Sequence, residues 1–341
     1  MTKSALADSR FSTLWRDATV FRLPLKTKFR GIKSREGVLF QGEYGWGEFA
    51  PFHDHDDEHA AMWLKASIEM AFSRPISVEA NCVRVNSIVP ECEVDQALTW
   101  ALTGGCEVAK VKVSGSAITR RQDLDRLHAV SKALGVGSKL RVDLNGALSL
   151  DQAIEFVQGC QGLPIDYFEQ PCKSVEDCGE LRKRTGARVA LDESIRLGSD
   201  RSHDGFAQIR SNADVAVLKP IPLGGFASTK LVSERLQMPC VISSSLDTSV
   251  GLAYAARIAA TMAPGGMHGL GTASLFDFDV ARHALLAHQG EIHIGAVEPD
   301  TANLERASDG TKGAIETKWH DRMARCWALL SKDPVLDLVS V

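Results

Sequence analysis

The chain has no Cys-x-x-Cys pair, although eight cysteines are spread through its 341 residues. Several of them, such as Cys82, Cys160 and Cys240, lie in apolar segments typical of strands and helices. Scattered cysteines in a chain of this length are typical of reduced thiols. The sequence therefore predicts a cytoplasmic protein without disulfides.

Long apolar runs and basic runs are also missing. No stretch approaches the ~18 uncharged apolar residues of a membrane-spanning helix, and the first 21 residues lack the apolar core and cleavage site of a secretory signal. The net charge of −4 gives no reason to expect a phosphate backbone or an acidic membrane as partner. We expect a small-molecule partner, and a monomer or small homo-oligomer.

Alternating strand and helix patterns begin at about residue 81. Before that point the pattern is α+β, with strands at 17–24 and 35–42, a loop at TKFRG (27–31) and a helix at 56–73. Strands are then predicted at 81–86, 107–113, 139–143, 166–169, 187–192, 214–218, 239–243 and 267–271. Helices are predicted between them near 94–104, 117–134, 150–160, 174–185, 224–237 and 248–262. Eight strands interleaved with helices favour a parallel sheet that closes on itself.

The predicted fold class is therefore α/β, a (β/α)8-type (modified TIM) barrel with a small α+β capping domain. The capping domain is assigned to 1–80 and the barrel to 81–289. The last segment, 290–341, has no clear barrel unit and is expected to pack back against the N-terminal part.

Charged side chains occur at the ends of successive predicted strands. The segments are AKVKV (Lys110, Lys112), RVDLNG (Asp143, Asn145), YFEQP (Glu169), VALDES (Asp192, Glu193) and VLKPIP (Lys219). The intervals from 112 to 143, 169, 192 and 219 are 31, 26, 23 and 27 residues, about one βα unit each. Functional residues at successive strand ends are what a parallel barrel with one active-site face requires. Charged groups are rarely buried unless they are paired or bound to metal, so this layout predicts an active site.

Three of these side chains are carboxylates from neighbouring predicted strands: Asp143, Glu169 and Asp192. Three oxygen ligands without Cys or His favour a hard cation that keeps open positions for water or substrate. Mg²⁺ fits this set best, and Mn²⁺ is the alternative.

Two lysines, Lys112 and Lys219, would face each other across that metal. A divalent ion and neighbouring lysines lower a lysine pKa toward neutrality, which makes a usable base. Abstraction of a proton next to a carboxylate gives a dianionic enediolate, which needs more positive charge than one ammonium supplies. The pattern therefore indicates carbon-acid chemistry rather than hydrolysis.

These motifs resemble those of the enolase superfamily, specifically its muconate-lactonizing subgroup, which carries K-x-K, D-x-N, E-Q-P, D-E and a sixth-strand lysine. The likeness extends over the whole chain, including a capping domain that would hold TKFRG over the barrel mouth. Within the subgroup, the chain resembles the o-succinylbenzoate synthase family of the short actinobacterial type. The segments that carry this likeness are FRLPLKTKFRGI, YGWGEFAPF, LKPIPLGG, VISSSLDTSVGLA and HGLGTASL.

The resemblance implies a Mg²⁺-dependent syn-dehydration of 2-succinyl-6-hydroxy-2,4-cyclohexadiene-1-carboxylate to 2-succinylbenzoate, a step toward menaquinone. It implies that Lys112 takes the proton alpha to the carboxylate and then protonates the departing hydroxyl. Lys219 would remain charged and stabilise the enediolate, and Lys110 belongs to the same catalytic group. Arg141 is expected to support the lysine and metal array. The expected substrate contacts are Ser243, Ser244, Ser245, Gly269, Gly271, Arg30 and Asn145.

Other interpretations stay open. An N-acylamino-acid (N-succinylamino-acid) racemase would use the same two lysines, and a catalytically dead barrel kept for binding belongs to another class. The run HDHDDEH (53–59) favours a solvated loop over a metal cluster, since it leads into a helix. The run FDFD (276–279) favours a capped helix start over the D-x-D of dipeptide epimerases. His268 is equally typical of a structural histidine and of a substrate contact.

Overall fold

The computed structural model describes residues 9–114, 116, 118–198, 200 and 202–339. Residues 1–8 of the predicted capping domain, residue 117 of a predicted helix and residues 340–341 of the predicted last segment therefore lie outside the described residues. No helix among the described residues is long and apolar enough to cross a membrane.

Thirteen strands are present in the described part of the chain. They are Thr19–Phe29 (β1), Ile32–Gln41 (β2), Trp46–Phe49 (β3), Cys82–Val85 (β4), Ser87–Val89 (β5), Val108–Lys112 (β6), Lys139–Asp143 (β7), Ile165–Glu169 (β8), Val189–Leu191 (β9), Val215–Leu218 (β10), Cys240–Ile242 (β11), Met267–His268 (β12) and Glu291–His293 (β13).

Twelve α-helices accompany these strands within the same described ranges. They are Ser9–Arg16 (α1), Asp57–Phe72 (α2), Val94–Leu102 (α3), Arg120–Leu134 (α4), Leu150–Gly159 (α5), Val175–Thr185 (α6), Glu193–Arg196 (α7), His203–Asn212 (α8), Phe226–Leu236 (α9), Ser249–Met262 (α10), Thr301–Ser308 (α11) and Ala314–Leu329 (α12). Short 3₁₀ turns cover Thr103–Gly105, Gly271–Leu275 and Pro334–Leu338.

The strands from β5 to β12 form a closed parallel barrel. Strands β5 to β11 pair in chain order as one sheet. A parallel bridge from Ser243 to Gly269 joins the end of β11 to the end of β12, and β12 pairs in parallel with β4. Strands β4 and β5 are two halves of the first barrel strand, interrupted at Asn86, whose N–H donates to the His268 carbonyl. All eight predicted barrel strands are therefore confirmed.

The last barrel unit differs from the other seven. After β12 the chain forms only the 3₁₀ turn Gly271–Leu275, where the earlier units have α-helices. The turn starts there because the chain must pass directly from the barrel rim to the N-terminal strands, where the Leu25–Phe276 bridge forms. The predicted barrel is thus of the modified kind, with seven helical units and a final strand.

The N-terminal strands β1, β2 and β3 form an antiparallel sheet that packs with α2, and we call this set the capping layer. The predicted loop at TKFRG is wrong in extent, because β1 continues to Phe29 and pairs with Ile32. Only Arg30 and Gly31 turn the chain, both with positive φ (48° and 79°). Two left-handed residues in a two-residue hairpin match the right-handed twist of the flanking strands.

Helix α2 begins where the sequence predicts it. Asp56 caps the helix by accepting the His59 N–H at 2.8 Å, so the acidic and histidine-rich run 53–59 serves as a helix start.

The C-terminal part of the chain packs against the capping layer: the Thr311 hydroxyl donates to the Val20 carbonyl, and Arg325 pairs with Asp57 at 2.6 Å. Before that, β13 pairs with the barrel strand β4. Segment 290–341 therefore contacts both parts, and the domain boundaries given above stay a prediction.

Two apolar cores hold these parts together. One lies between the barrel strands and the surrounding helices, and the other fills the capping layer with the C-terminal helix α12. A third, small apolar cluster lies inside the barrel and consists of Tyr167, Ala190, Val215, Val217 and Val241. All eight cysteines are free thiols, as the sequence predicts.

Candidate active site

Parallel pairing brings the predicted residues to one barrel rim. Lys112, Asp143 and Glu169 stand side by side at the ends of β6, β7 and β8. Asp192 follows β9 directly, and Lys219 follows β10 directly. Because side chains alternate along a strand, every second residue of these segments faces the barrel interior. The charged side chains that are regularly spaced in the sequence therefore lie next to one another along the barrel rim, and we call this row the arc.

The three carboxylates are fully buried and lie against lysine ammonium groups. Lys110 Nζ is 2.5 Å from Glu169 Oε1 and 2.9 Å from Asp143 Oδ2. Lys112 Nζ is 2.6 Å from Asp143 Oδ2, and on the opposite side of the arc Lys219 Nζ is 2.6 Å from Asp192 Oδ2. The arrangement joins three anions and three cations out of water, which is tolerated only when the charges are paired.

Burial and neighbouring charges shift the pKa values of these groups in different directions. Burial, together with Asp143, raises the pKa of Glu169 to about 7. For Asp192, burial is outweighed by Lys219 and Arg196, which lower its pKa to about 2. Burial lowers the pKa of Lys112, and the positive charges of Lys110 and Lys219 add to this effect. A larger fraction of Lys112 than of a lysine in water is therefore the neutral amine, the form that can take up a proton.

The donor set fits a hard divalent cation. Glu169 Oε2 is buried and has no hydrogen-bond partner, and a buried carboxylate oxygen of this kind calls for a cation. Asp143, Glu169 and Asp192 would offer oxygen donors only, which suits Mg²⁺ or Mn²⁺. Among the described residues no three His, Cys, Asp or Glu side chains are already arranged as a metal cage. In this rim the lysines contact the carboxylates instead.

A small cavity, bounded by the barrel rim and the capping layer, opens above this arc. Of the predicted residues, those that line it are Lys110, Lys112, Asp143, Lys219, Arg30, Asn145, Ser243, Ser244, Ser245 and Gly269. Glu169 and Asp192 lie beneath its surface, with no exposed area. The two lysines on which the carbon-acid prediction depends thus share one cavity.

Part of the cavity wall was not found from the sequence. Phe29, Phe52, Ile88 and Leu246 give it an apolar side, and Thr272 adds a hydroxyl. These residues come from the capping layer, the first barrel strand, the loop after β11 and the 3₁₀ turn after β12, so no spacing pattern connects them. The available signal was Phe29, which lies inside the predicted TKFRG segment.

The serine run after β11 divides into bonded and unbonded hydroxyls. The hydroxyls of Ser243 and Ser244 both donate to the Gly269 carbonyl at 3.3 Å, and Ser244 also contacts Thr272 at 2.7 Å. The Ser245 hydroxyl is buried at the cavity and has no partner. Ser245 is therefore the serine with a hydroxyl left to bond a ligand.

Asn145 and Gln170 organise the rim from just beyond the strands. Asn145 Oδ1 accepts from Lys112 Nζ at 2.6 Å, and its amide donates to Glu193 at 3.0 Å. Gln170 Oε1 accepts the Asp192 N–H at 3.2 Å and fixes the start of α7. Asn145 and Gln170 have φ of 47° and 39°, a conformation that non-glycine residues adopt at a cost and that is frequent at functional sites.

Arg141 points into the barrel, but its contacts differ from the expected ones. Its guanidinium bonds Asp166 and Asn86 at 2.9 Å and lies 4.9 Å from the Tyr167 ring. It is in register with Lys110, below the layer of Lys112 and Asp143. The described contacts therefore place Arg141 in the barrel floor, because its side chain is satisfied there.

Two further motifs have structural partners. Asp279 is buried and accepts the Ser249 N–H at 3.1 Å, so it caps α10 from outside rather than starting a helix of its own. His268 Nδ1 accepts the Ile242 N–H, and the opposite ring nitrogen lies 3.2 Å from the Ala263 carbonyl. Burial lowers the pKa of His268 to about 4. His268 is therefore a neutral structural histidine.

Gly271 is the one predicted substrate contact that does not line the cavity. A Cβ at this position would lie 2.4 Å from the Asn86 carbonyl oxygen, in the interrupted first strand. Glycine is therefore needed for the close packing of two barrel segments. The predicted substrate contact concerned backbone groups from Gly269 to Gly271, and for Gly271 it stays a prediction.

This packing predicts that Gly271→Ala lowers the free energy of unfolding by about 1–3 kcal/mol, since backbone must shift to admit the methyl group. Gly295→Ala is the matched control, because no atom lies within 4 Å of its added Cβ. Denaturant unfolding of both full-length variants measures the difference. Equal stability of the two variants would contradict the packing role.

Comparison with known proteins agrees with this architecture. Residues 20–71 match the model described as enolase N-terminal domain-like, and residues 93–302 match the model described as enolase C-terminal domain-like. The muconate lactonizing enzyme from Pseudomonas fluorescens, solved with muconolactone, has a TM-score of 0.71 at 16% identity, covering 85% of this chain and 97% of that one. That likeness supports the fold alone.

Curated relatives are closer in sequence. The o-succinylbenzoate synthase of Mycobacterium leprae is 38% identical over 316 residues, covering 91% of both chains. The o-succinylbenzoate synthase of Thermobifida fusca is 35% identical over 322 residues, covering 92% of this chain and 98% of the relative. The chain belongs to the enolase superfamily and, within it, to the o-succinylbenzoate synthase family.

Proposed function

We propose that the chain is an o-succinylbenzoate synthase, a carbon–oxygen lyase that removes water from 2-succinyl-6-hydroxy-2,4-cyclohexadiene-1-carboxylate to give 2-succinylbenzoate. The observation that carries the proposal is the pair Lys112 and Lys219 in one cavity above three buried carboxylates. This geometry suits a carboxylate substrate with an acidic neighbouring C–H. The curated relatives of that name cover nearly the whole chain.

Asp143, Glu169 and Asp192 would hold the divalent cation, for which we propose Mg²⁺. When bound, it supplies positive charge that stabilises the substrate carboxylate as negative charge develops there. Lys110 keeps the floor of the site charged and ordered through its contacts to Asp143 and Glu169. Its role is to hold those carboxylates in place.

Lys112 acts as the proton carrier in this proposal. Its amine takes the proton from the carbon next to the carboxylate, and the electron pair of that C–H bond moves into the enediolate. The same ammonium then gives its proton to the departing hydroxyl, which leaves as water while the ring becomes aromatic. Asn145, which accepts from Lys112 Nζ, orients the amine. Proton and electrons balance without any further reactant.

Lys219 remains charged on the other side of the cavity. Its ammonium is paired with the Asp192 carboxylate at 2.6 Å. From that position it stabilises the developing enediolate by charge. The unbonded Ser245 hydroxyl and the Arg30 guanidinium, which both line the cavity, are placed to bind the oxygen atoms of the succinyl group.

The second candidate is N-succinylamino-acid racemization, which the same two lysines favour. A racemase needs one proton-transferring group on each face of the substrate carbon, and Lys112 and Lys219 line opposite parts of the cavity. A binding protein without catalysis is the weaker alternative, because both lysines and all three carboxylates are in place. With the lyase activity, we also propose that the protein acts in menaquinone biosynthesis and that it is cytoplasmic.

The deciding experiment follows the loss of substrate diene absorbance with Mg²⁺, beside exchange of the alpha proton of an N-succinylamino acid in deuterium oxide. We expect rapid diene loss and formation of 2-succinylbenzoate. Exchange of the amino-acid proton without diene loss would replace the lyase proposal by racemization. Inactivity in both assays would favour the binding protein.

A further inference from the structure

Arg35 of the capping layer reaches into the barrel. It lies on β2, is 2% exposed, and donates from Nε to the Leu246 carbonyl at 3.1 Å. Nη2 lies 3.4 Å from the Ser245 carbonyl and also donates to the Ala50 carbonyl. Its guanidinium covers the Phe52 ring at 4.0 Å. One capping side chain thus bonds the backbone of the loop after β11 and supports another part of the cavity wall.

Glu48, on β3, bonds the same loop two residues farther on. It is 1% exposed and accepts the Thr248 N–H at 3.0 Å, the Thr248 hydroxyl at 2.6 Å and the Gly251 N–H at 2.9 Å. A carboxylate that accepts from the first turn of α10 also complements the positive end of that helix. Glu48 therefore fixes where α10 begins relative to the capping layer.

The strained part of the cavity wall lies where Arg35 bonds the backbone, just before the residues that Glu48 bonds. Leu246 lines the cavity, is buried, and has φ of 61°, which is unusual for a leucine. The preceding residue, Ser245, presents the unpartnered hydroxyl. A strained backbone persists only where its surroundings hold it in place. Here those surroundings include Arg35 on one side and Glu48 on the other.

We propose that Arg35 and Glu48 are positioning residues for substrate binding, which hold Ser245 and Leu246 in the cavity wall through the backbone of residues 245–251, that is, the loop after β11 and the first turn of α10. This inference rests on the proposed function, since it concerns the same cavity. It assigns to the capping layer a second task beside covering the barrel mouth. That task is to set the shape of the wall opposite the metal-binding carboxylates.

The charges at this junction match the proposal. Asp247 accepts the Ser245 N–H at 2.9 Å and lies near both capping residues. Burial and the charge of Asp247 raise the pKa of Glu48 to about 7. Arg35 is attracted to both acids, so it reduces the repulsion between them. Substitution of Arg35 or Glu48 is therefore expected to loosen the whole loop and not only to remove one hydrogen bond.

The test compares Glu48→Gln with Glu69→Gln. Glu69 is the matched control, because it is also a capping-layer carboxylate that accepts a barrel N–H, from Phe226 at 2.7 Å, but it lies away from the cavity. We expect Glu48→Gln to raise KM for the diene substrate and Kd for 2-succinylbenzoate about tenfold, which corresponds to about 1.4 kcal/mol, the size of one lost hydrogen bond. Its kcat should change less than about threefold, and Glu69→Gln should leave KM and Kd unchanged.

Arg35→Lys is the second variant, since it keeps the positive charge but not the planar donor arrangement. It should raise KM and Kd in the same way as Glu48→Gln. Equal effects of Glu48→Gln and Glu69→Gln would overturn the proposal, because any loosening of the interface would then suffice. A fall in kcat at constant KM would overturn it as well.

Hydrogen–deuterium exchange of the unaltered enzyme tests the proposal without a variant. Peptides covering 245–251 should be protected to the same degree as peptides from β2, because both would open together. Fast exchange at 245–251 with a protected β2 would contradict the attachment. This measurement does not depend on turnover, so failure of the lyase assay leaves its result intact. If only racemization is found, the KM comparison applies to that substrate.

Discussion

Replacement of Lys112 by alanine is expected to lower kcat by at least about 10³-fold, within the range that loss of a positioned acid–base group costs. The amine of Lys112 lines the cavity, and burial together with Lys110 and Lys219 lowers its pKa. In the proposed mechanism the same nitrogen takes the alpha proton and returns it to the leaving hydroxyl. Its removal therefore affects both halves of the reaction.

Steady-state loss of diene absorbance measures this effect. Lys230→Ala is the control, because Lys230 is an exposed lysine whose nearest carboxylate, Glu234, lies at 3.9 Å. Partial rescue of Lys112→Ala by added methylamine would identify the missing group as a base rather than a structural support. A variant that retains more than a tenth of the wild-type kcat would contradict the assignment of Lys112.

The rim of the barrel could be predicted from the sequence because it depends on local regularities. Alternation along strands and one βα unit per interval place Asp143, Glu169 and Asp192 on neighbouring strands, and parallel pairing aligns their ends. These rules need no knowledge of distant contacts. For the same reason the predicted strands agree with the observed ones to within a few residues.

Contacts between distant segments could not be predicted in this way. The contact of Arg35 with Leu246 joins residues 211 positions apart, and no periodicity links them. The close approach of Gly271 to the Asn86 carbonyl, which excludes a side chain there, also joins segments that are distant in the sequence. The turn at Arg30–Gly31 depended on strand pairing beyond the predicted strand ends. Shape complementarity, rather than pattern, decides each of these cases.

Removal of divalent metal is expected to abolish turnover and to lower the unfolding temperature. Asp143, Glu169 and Asp192 are fully buried, and Glu169 Oε2 lacks a hydrogen-bond partner. A cation that binds the folded state alone stabilises it by about 2.7 kcal/mol at a free concentration one hundred times Kd. Thermal unfolding and diene loss, measured with EDTA and again after addition of Mg²⁺ or Mn²⁺, give both effects. An enzyme that is fully active in EDTA would contradict the metal site.

Glu169→Gln separates metal binding from general damage to the fold. The amide keeps an oxygen for Lys110 and nearly the same volume, but it removes the negative charge from a position where one carboxylate oxygen has no partner. Without metal, the variant should unfold at about the same temperature as the wild type, since burial, which raises the pKa of Glu169 to about 7, already disfavours the charge that the substitution removes. With Mg²⁺ it should gain almost no stability and show at least about a hundredfold lower kcat, because a hard cation binds weakly to an amide in place of a carboxylate. Glu180→Gln, at an exposed helix position paired with Arg184, should behave as the wild type in both conditions. A Glu169→Gln variant that is stabilised by Mg²⁺ as strongly as the wild type would show that the three carboxylates do not form the ion site, and the lysine–carboxylate pairs would then be the permanent state of this rim.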